Sequence, residues 1–271
     1  MLSKELNLNW EWCFAHMAHT ATKASCGVNG AASAAENPEM ADLVARIART
    51  IFQIKRVSTM GNLFEELCKS KAKGASSRLV GYSTSRFLSL TNVLESILLK
   101  WPAITAWYEE RARQALRAGK SPPEFPLANR YDDLEHVEVL VKLFLARIED
   151  LNPDHALPHY KSTDDNPRWI AASDLTPLAA KTRLLLREAL DERFFSRYYK
   201  DEKFKKSSFV MEMQLKLHPI YKYTERSLDR VVISSCRQHG KSGKEAVERK
   251  MLLIQKFEVI YWSYSLRSLS L

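Results

Sequence analysis

The chain has 271 residues, 45% hydrophobic, 27% charged and 10% aromatic, which is enough for a sizeable core in one or two domains. Only 8 glycines occur, few for a doubly wound α/β enzyme, and the four scattered cysteines (Cys13, Cys26, Cys68, Cys236) argue against a disulfide framework and for a reduced intracellular setting. The net charge of +9 is uneven: residues 1–180 hold 21 basic and 21 acidic side chains, residues 181–271 hold 20 and 11. A basic last third points to a polyanion, DNA or RNA first, although a solvated basic face without a ligand gives the same pattern.

Met1 to Trp10 alternates polar and apolar residues, unlike a signal peptide, and the apolar runs are too short to span a bilayer. The alternation continues through Phe14, so Leu6, Leu8, Trp10, Trp12 and Phe14 would share one face of a strand. A lone strand leaves its backbone groups unpaired, and no partner is evident in the chain, so this strand reads as the edge of a larger sheet. Nearly everything after it reads helical. His16 to Cys26 forms a helix that stops at Gly27, a favourable residue just past a helix end. Asn37-Pro38 opens the next helix, with Asn37 as cap and Leu43, Val44, Ile47, Ile51 and Ile54 in one apolar stripe. A third helix covers about 62–71, followed by the loop Gly74-Ala75-Ser76-Ser77.

Thr84 is a candidate cap for a helix carrying Phe87, Leu88, Val93, Leu94, Ile97 and Leu98, with a boundary or kink at Pro102. The next helix holds Ile104, Trp107, Tyr108, Ala112 and Leu116 and ends at Gly119. Tyr131 to Leu151 is strongly amphipathic, and 152–174, with Pro153, Pro158 and Pro167, reads as a long loop. Thr176-Pro177 opens a further helix, 194–213 continues helical with interruptions, Pro219 breaks it, and 244–262 is the last helical stretch.

Several residue groups invite chemistry. Cys13-x-x-His16, with His19 and Cys26 nearby, has the first spacing of a zinc knuckle, but no second close pair follows; a packed thiol and a hydrogen-bonded imidazole explain it more simply. Val231 to Ser242 imitates a phosphate loop: a strand-like run, then Gly240-Lys241-Ser242, then a helix. Ser235 stands where the first glycine belongs, and too little chain follows for the remaining strands, so nucleotide binding there is not expected. Asp132-Asp133 and Asp164-Asp165 are adjacent pairs whose side chains diverge, and they read as helix caps rather than metal-holding carboxylates.

Taken in order, three segments resemble the C-terminal half of hAT-superfamily transposases. Cys13-Phe14-Ala15-His16 is similar to that family's Cys-x-x-His step. Ser85-Arg86-Phe87-Leu88-Ser89 resembles its Thr-Arg-Trp-x-Ser signature. Leu217-His218-Pro219-Ile220-Tyr221-Lys222 resembles its Leu-Asp-Pro-Arg-Tyr-Lys turn, with His218 and Ile220 as departures. The resemblance covers about 8–222. It implies a helical domain inserted into an RNase H-like fold, with two catalytic aspartates before the Cys-x-x-His strand and a catalytic glutamate after the insertion. Both aspartates would then precede Met1, and no segment after Lys222 resembles the family's dimerisation segment. In the family the Trp stacks on a displaced base; here Phe87 takes its place, with Arg86 beside it for a phosphate, although Phe87 fits the apolar stripe of its helix better.

The expected fold is mainly α, a multi-helix bundle with a short N-terminal strand left from an RNase H-like sheet. The parts would be 1–30 (strand and first helix), 31–225 (insertion-like helical domain) and 226–271 (basic helical segment and tail). The expected function is that of a transposase fragment without catalytic carboxylates: an intracellular module, nuclear or cytoplasmic, that binds DNA and possesses no cofactor, a divalent metal being needed only in an intact relative. Its nucleic-acid contacts would be Arg86, Phe87, Lys203, Lys205 and Lys206, with Cys13 and His16 structural. A full-length relative or a second copy is a further expected partner. The alternative is a stand-alone helical protein-interaction module that ignores DNA.

Overall fold

The structure is a computed structural model and describes residues 14–56, 61–72, 78–81, 89–127, 151–159, 165–209, 212 and 225–268. It is mainly helical, and the only sheet among the described residues is a two-stranded one at 157–170. The chain divides into two compact units: Met1–Ala18 with Glu188–Leu271, and His19–Arg187. Residues 6–13 of the expected strand, the loop 74–77, Thr84 and residues 131–150 of the expected amphipathic helix lie outside the described residues. Phe14 opens a helix rather than closing a strand.

The unit His19–Arg187 begins within α1 (Phe14–Ser25). The α1 helix ends as its sequence suggests. Gly27 has φ +70°, its N–H bonds Ala24 O at 3.0 Å, and Val28 N–H bonds Lys23 O at 2.9 Å, so the last carbonyls are satisfied by a left-handed turn. A Cβ at Gly27 would lie 2.7 Å from Asn37 O, so only glycine fits. After the short α2 (Ala31–Glu36) comes α3 (Pro38–Arg56), whose Met40, Leu43, Val44, Ile47, Ile51 and Ile54 are buried in the expected stripe. Asn37 does not cap α3 with its side-chain oxygen as expected. Its amide instead donates to Ser25 O (2.7 Å) and Thr182 Oγ1 (3.0 Å), tying α1 to the later helix of the same unit.

Helix α4 (Gly61–Lys71) buries Phe64 and Cys68 against α5 (Ser89–Arg117). The expected boundary at Pro102 is absent: α5 runs through it for 29 residues. Proline in a helix interior removes one hydrogen bond and costs ~3 kcal/mol. Burial of Ile97, Ala103, Ile104 and Trp107 around it offsets that cost, and Thr105 Oγ1 donates to the Trp101 carbonyl at 3.1 Å. Gly119, φ +63°, ends α5 with Lys120 N–H on Ala115 O at 2.8 Å. The expected long loop contains structure of its own: β1 (Leu157–Pro158) pairs antiparallel with β2 (Trp169–Ile170), followed by a 3₁₀ turn at Ala172–Asp174. Thr176 caps α6 (Pro177–Leu190) through Oγ1 to Ala179 N at 3.3 Å, with Pro177 in the first turn.

The second unit has an aromatic core. After α6 come a π-helical turn (Asp191–Phe195), α7 (Ser196–Tyr199) and α8 (Asp201–Lys206). Phe194, Phe195, Tyr198, Phe204 and Phe209 pack with Met17, Val232, Cys236, Ala246, Leu253 and Phe257. Inside this core Arg197 lies 4.0 Å from the Phe194 ring centre and 3.1 Å from the Glu212 carboxylate, which also accepts from Tyr198 Oη at 2.7 Å. Helix α9 (Glu225–Gln238) and α10 (Gly243–Ser268) complete the unit. The strand-like run Val231–Ile233 is therefore helical. Gly240-Lys241-Ser242 is a helix junction, not a phosphate loop. Gly240 (φ +77°) and Lys241 close α9 onto Arg237 O and Cys236 O, and Ser242 and Glu245 form a reciprocal cap on α10 at 2.8 and 3.2 Å.

Candidate functional site

Helix α3 has a second face opposite its apolar stripe. Arg49, Phe52, Gln53 and Arg56 recur at the three-four spacing that places side chains on one side of a helix. Trp107 and Arg111, four apart on α5, and Pro123 from the extended segment beyond it complete the walls of a cleft of ≈ 370 Å³. This size is within the range of small-ligand sites. No carboxylate lines it among the described residues; Glu124, beside Pro123, is exposed and outside the wall.

Arg56 lies 5.7 Å from the Phe52 ring centre and Arg111 5.7 Å from that of Trp107, so two guanidiniums are paired with aromatic faces and, among the described residues, with no acid. Phe52 is 58% exposed, an unusual position for a large apolar ring. Tyr108 next to Trp107 is fixed by stacking on Phe125 at 4.1 Å and by its hydroxyl, which donates to Gln53 Oε1. Burial pushes the Tyr108 hydroxyl pKa up, which keeps it protonated as that donor. Trp107 is 1% exposed, and neither its Nε1–H nor the buried Arg111 Nε–H meets an acceptor among the described residues. A buried donor without a partner costs ~1–3 kcal/mol. The cleft thus carries three guanidinium side chains and, among the described residues, no carboxylate.

The residues singled out from the sequence fall elsewhere. Arg86, Phe87 and Cys13, the Leu217–Lys222 segment, Asp132, Asp133 and Asp164 lie outside the described residues. His16 and His19 are half-buried on α1, and Cys26 is fully buried, its thiol 3.9 Å from Ser25 Oγ. Burial pushes the Cys26 thiol up to about 12, so in the metal-free chain it holds its proton. No group of three or more His, Cys, Asp or Glu suited to a metal occurs among the described residues.

Lys203, Lys205 and Lys206 are exposed on α8. Lys203 is not a loose surface cation: its Nζ donates to Glu192 O at 2.8 Å and Ser196 Oγ at 2.9 Å, bracing the π-helical turn. Lys206 approaches Glu202 at 4.0 Å, a weak exposed pair. Lys256 of α10 donates to three carbonyls at the end of α8, those of Phe204, Lys205 and Ser207. Arg249 pairs with Asp201 and holds that carboxyl below the ordinary aspartate range.

No protein-family model matches the chain, and no curated protein or solved structure matches it either. No helix among the described residues is long and apolar enough to cross a membrane.

Proposed function

We propose that the chain is a nucleic-acid-binding helical module of the hAT-transposase kind, with a sheet-edge strand within residues 6–13, which holds DNA rather than cutting it. The observation that carries binding is the cleft lined by Arg49, Arg56 and Arg111 beside Phe52 and Trp107, free of carboxylates among the described residues. Guanidinium groups match phosphate oxygens in shape and charge, and aromatic faces beside them accept bases. The resemblance of Ser85–Ser89 and Leu217–Lys222 to the transposase motifs, and the basic excess after residue 180, agree with a polyanionic partner. The test is equilibrium binding of a labelled oligonucleotide across a salt series. Affinity is expected to fall steeply with salt, as it does when phosphates release their counterions. No binding at low salt would end this reading. Magnesium- or manganese-dependent cleavage by the purified chain, lost on carboxylate substitution, would end the claim that it holds without cutting.

A second reading, a protein-interaction module, is favoured by one observation. Helix α10 exposes Val247, Met251, Leu252 and Val259, each 47% or more accessible, although it is also packed on the aromatic core through Leu253 and Phe257. Concentration-dependent self-association lost in Val259→Lys and Leu252→Lys, with no response to DNA, would favour it.

A further inference from the structure

We infer that the cleft seats a single unpaired nucleotide, its base against Phe52 and its phosphate among Arg49, Arg56 and Arg111. This rests on the nucleic-acid reading above and narrows it from a phosphate-tracking surface to a nucleotide seat.

Three features of the cleft select this ligand. The first is charge: the guanidinium side chains of Arg49, Arg56 and Arg111 border a cleft whose open surface is otherwise largely apolar, and no carboxylate lines it among the described residues. The complement is a group rich in acceptors and negatively charged, which a phosphate is and a peptide or sugar is not. The second is the exposed ring. Phe52 offers an open π face at the cleft, 58% accessible, in a helix whose other large apolar residues are buried. A bare phosphate or inorganic anion makes no use of it, whereas a nucleobase stacks on it. The third is size and shape. A cleft of ≈ 370 Å³ between two helices accommodates one nucleotide, while the paired bases of a duplex have no free ring faces to present to a side wall.

The same chemistry has two sources, a free nucleotide or a nucleotide within a single strand, and the experiment separates them. Fluorescence anisotropy on the full chain would use three labelled probes of equal length: a single strand, the same strand with abasic sites throughout, and a duplex. Adenosine monophosphate serves as unlabelled competitor. The single strand is expected to bind about tenfold tighter than the abasic strand of equal charge, the scale of one base–aromatic stack. Phe52→Leu is expected to abolish that difference and Phe52→Trp to keep it; the position is exposed, so circular dichroism should be unchanged in both variants. Competition by adenosine monophosphate assigns the seat to free nucleotides, and competition by strands alone assigns it to a nucleotide in the chain. Equal affinity for base-bearing and abasic strands, or a difference that survives Phe52→Leu, overturns the nucleotide seat while leaving polyanion binding intact. If no probe binds at low salt, the nucleic-acid reading fails as well.

Discussion

In the unit that carries nearly all of the basic last third, Arg197, Lys203, Arg249, Lys250 and Lys256 are each engaged by a carboxylate, a carbonyl or a hydroxyl of the same unit. In the other unit, Arg49, Arg56 and Arg111 line one cleft with no ion pair among the described residues, although they come from the stretch where acids and bases balance. Net charge along a sequence therefore says little about where a polyanion is held. What matters is which cations the fold has already paired. A lysine that closes a helix end or braces a π-helical turn is partly neutralised by carbonyl dipoles and held in place. A guanidinium lying on an aromatic ring keeps its hydrogen-bonding edge available.

This contrast breaks most readily at Arg197. Replacing it with Ala leaves Glu212 as a buried charge among Phe194, Tyr198 and Phe209, and losing one partner of such a pair costs about 3–5 kcal/mol. Chemical denaturation should show that loss; a change under 1 kcal/mol would mean the charge is not needed by the core. In the opposite direction, Arg49→Ala, Arg56→Ala and Arg111→Ala together should weaken oligonucleotide binding about a hundredfold, from ~1 kcal/mol for each solvent-screened guanidinium–phosphate pair. Because Arg49 and Arg56 are exposed and Arg111 is half-buried, thermal melting should barely move. A melting loss comparable to that of Arg197→Ala would erase the distinction between the two units.

Smaller effects sharpen the contrast. Lys256→Met leaves three carbonyls at the end of α8 without their shared donor, and should cost about 1–2 kcal/mol of stability with oligonucleotide affinity nearly unchanged. Asp201 and Glu245 are held below the ordinary carboxylate range, Asp201 by the Arg249 hydrogen bond and Glu245 by the Ser242 backbone N–H. Their contribution to stability is fully present above the ordinary carboxylate pKa and disappears as pH falls through the depressed values. Arg249→Met should return the Asp201 titration, followed by carboxyl NMR, toward the ordinary range; an unmoved titration would remove the ion pair from the account. In the His19–Arg187 unit Lys100 is also engaged: it is 4% exposed, bonded to Ser96 Oγ at 2.8 Å, and burial lowers its pKa. Here the unfolded chain binds more protons, so stability should rise with pH toward the ordinary lysine range, and Lys100→Met should flatten that rise.

Much of the helical architecture was legible in the sequence, because its signals are local. Gly27, Gly119 and Thr176-Pro177 mark ends through backbone chemistry, and the 43–54 stripe marks a buried face. Where packing outweighed a local rule the reading failed. Pro102 does not end α5, because its neighbours are buried; the β-branched Val231, Val232 and Ile233, though strand-like in isolation, are helical as the 226–271 helical segment expected, and α9 packs them on the aromatic core. The candidate site was not singled out from the sequence, although half of its signal is local: Arg49, Phe52, Gln53 and Arg56 form a polar-aromatic stripe opposite the apolar one. Its other half is not, since Trp107 and Arg111 lie over fifty residues away and nothing local ties them to α3. Nor does composition reveal that Lys203 and Lys256 are already bound by backbone oxygens.

The central claim is that the α3–α5 cleft, and not the lysine-rich α8, holds nucleic acid. Photo-crosslinking of a bromouridine-substituted single strand to the full chain, followed by peptide mapping, tests it directly. The expected adducts fall on peptides containing Phe52 and Trp107. Adducts confined to 196–209 or 229–259, with none on the cleft peptides, would contradict it.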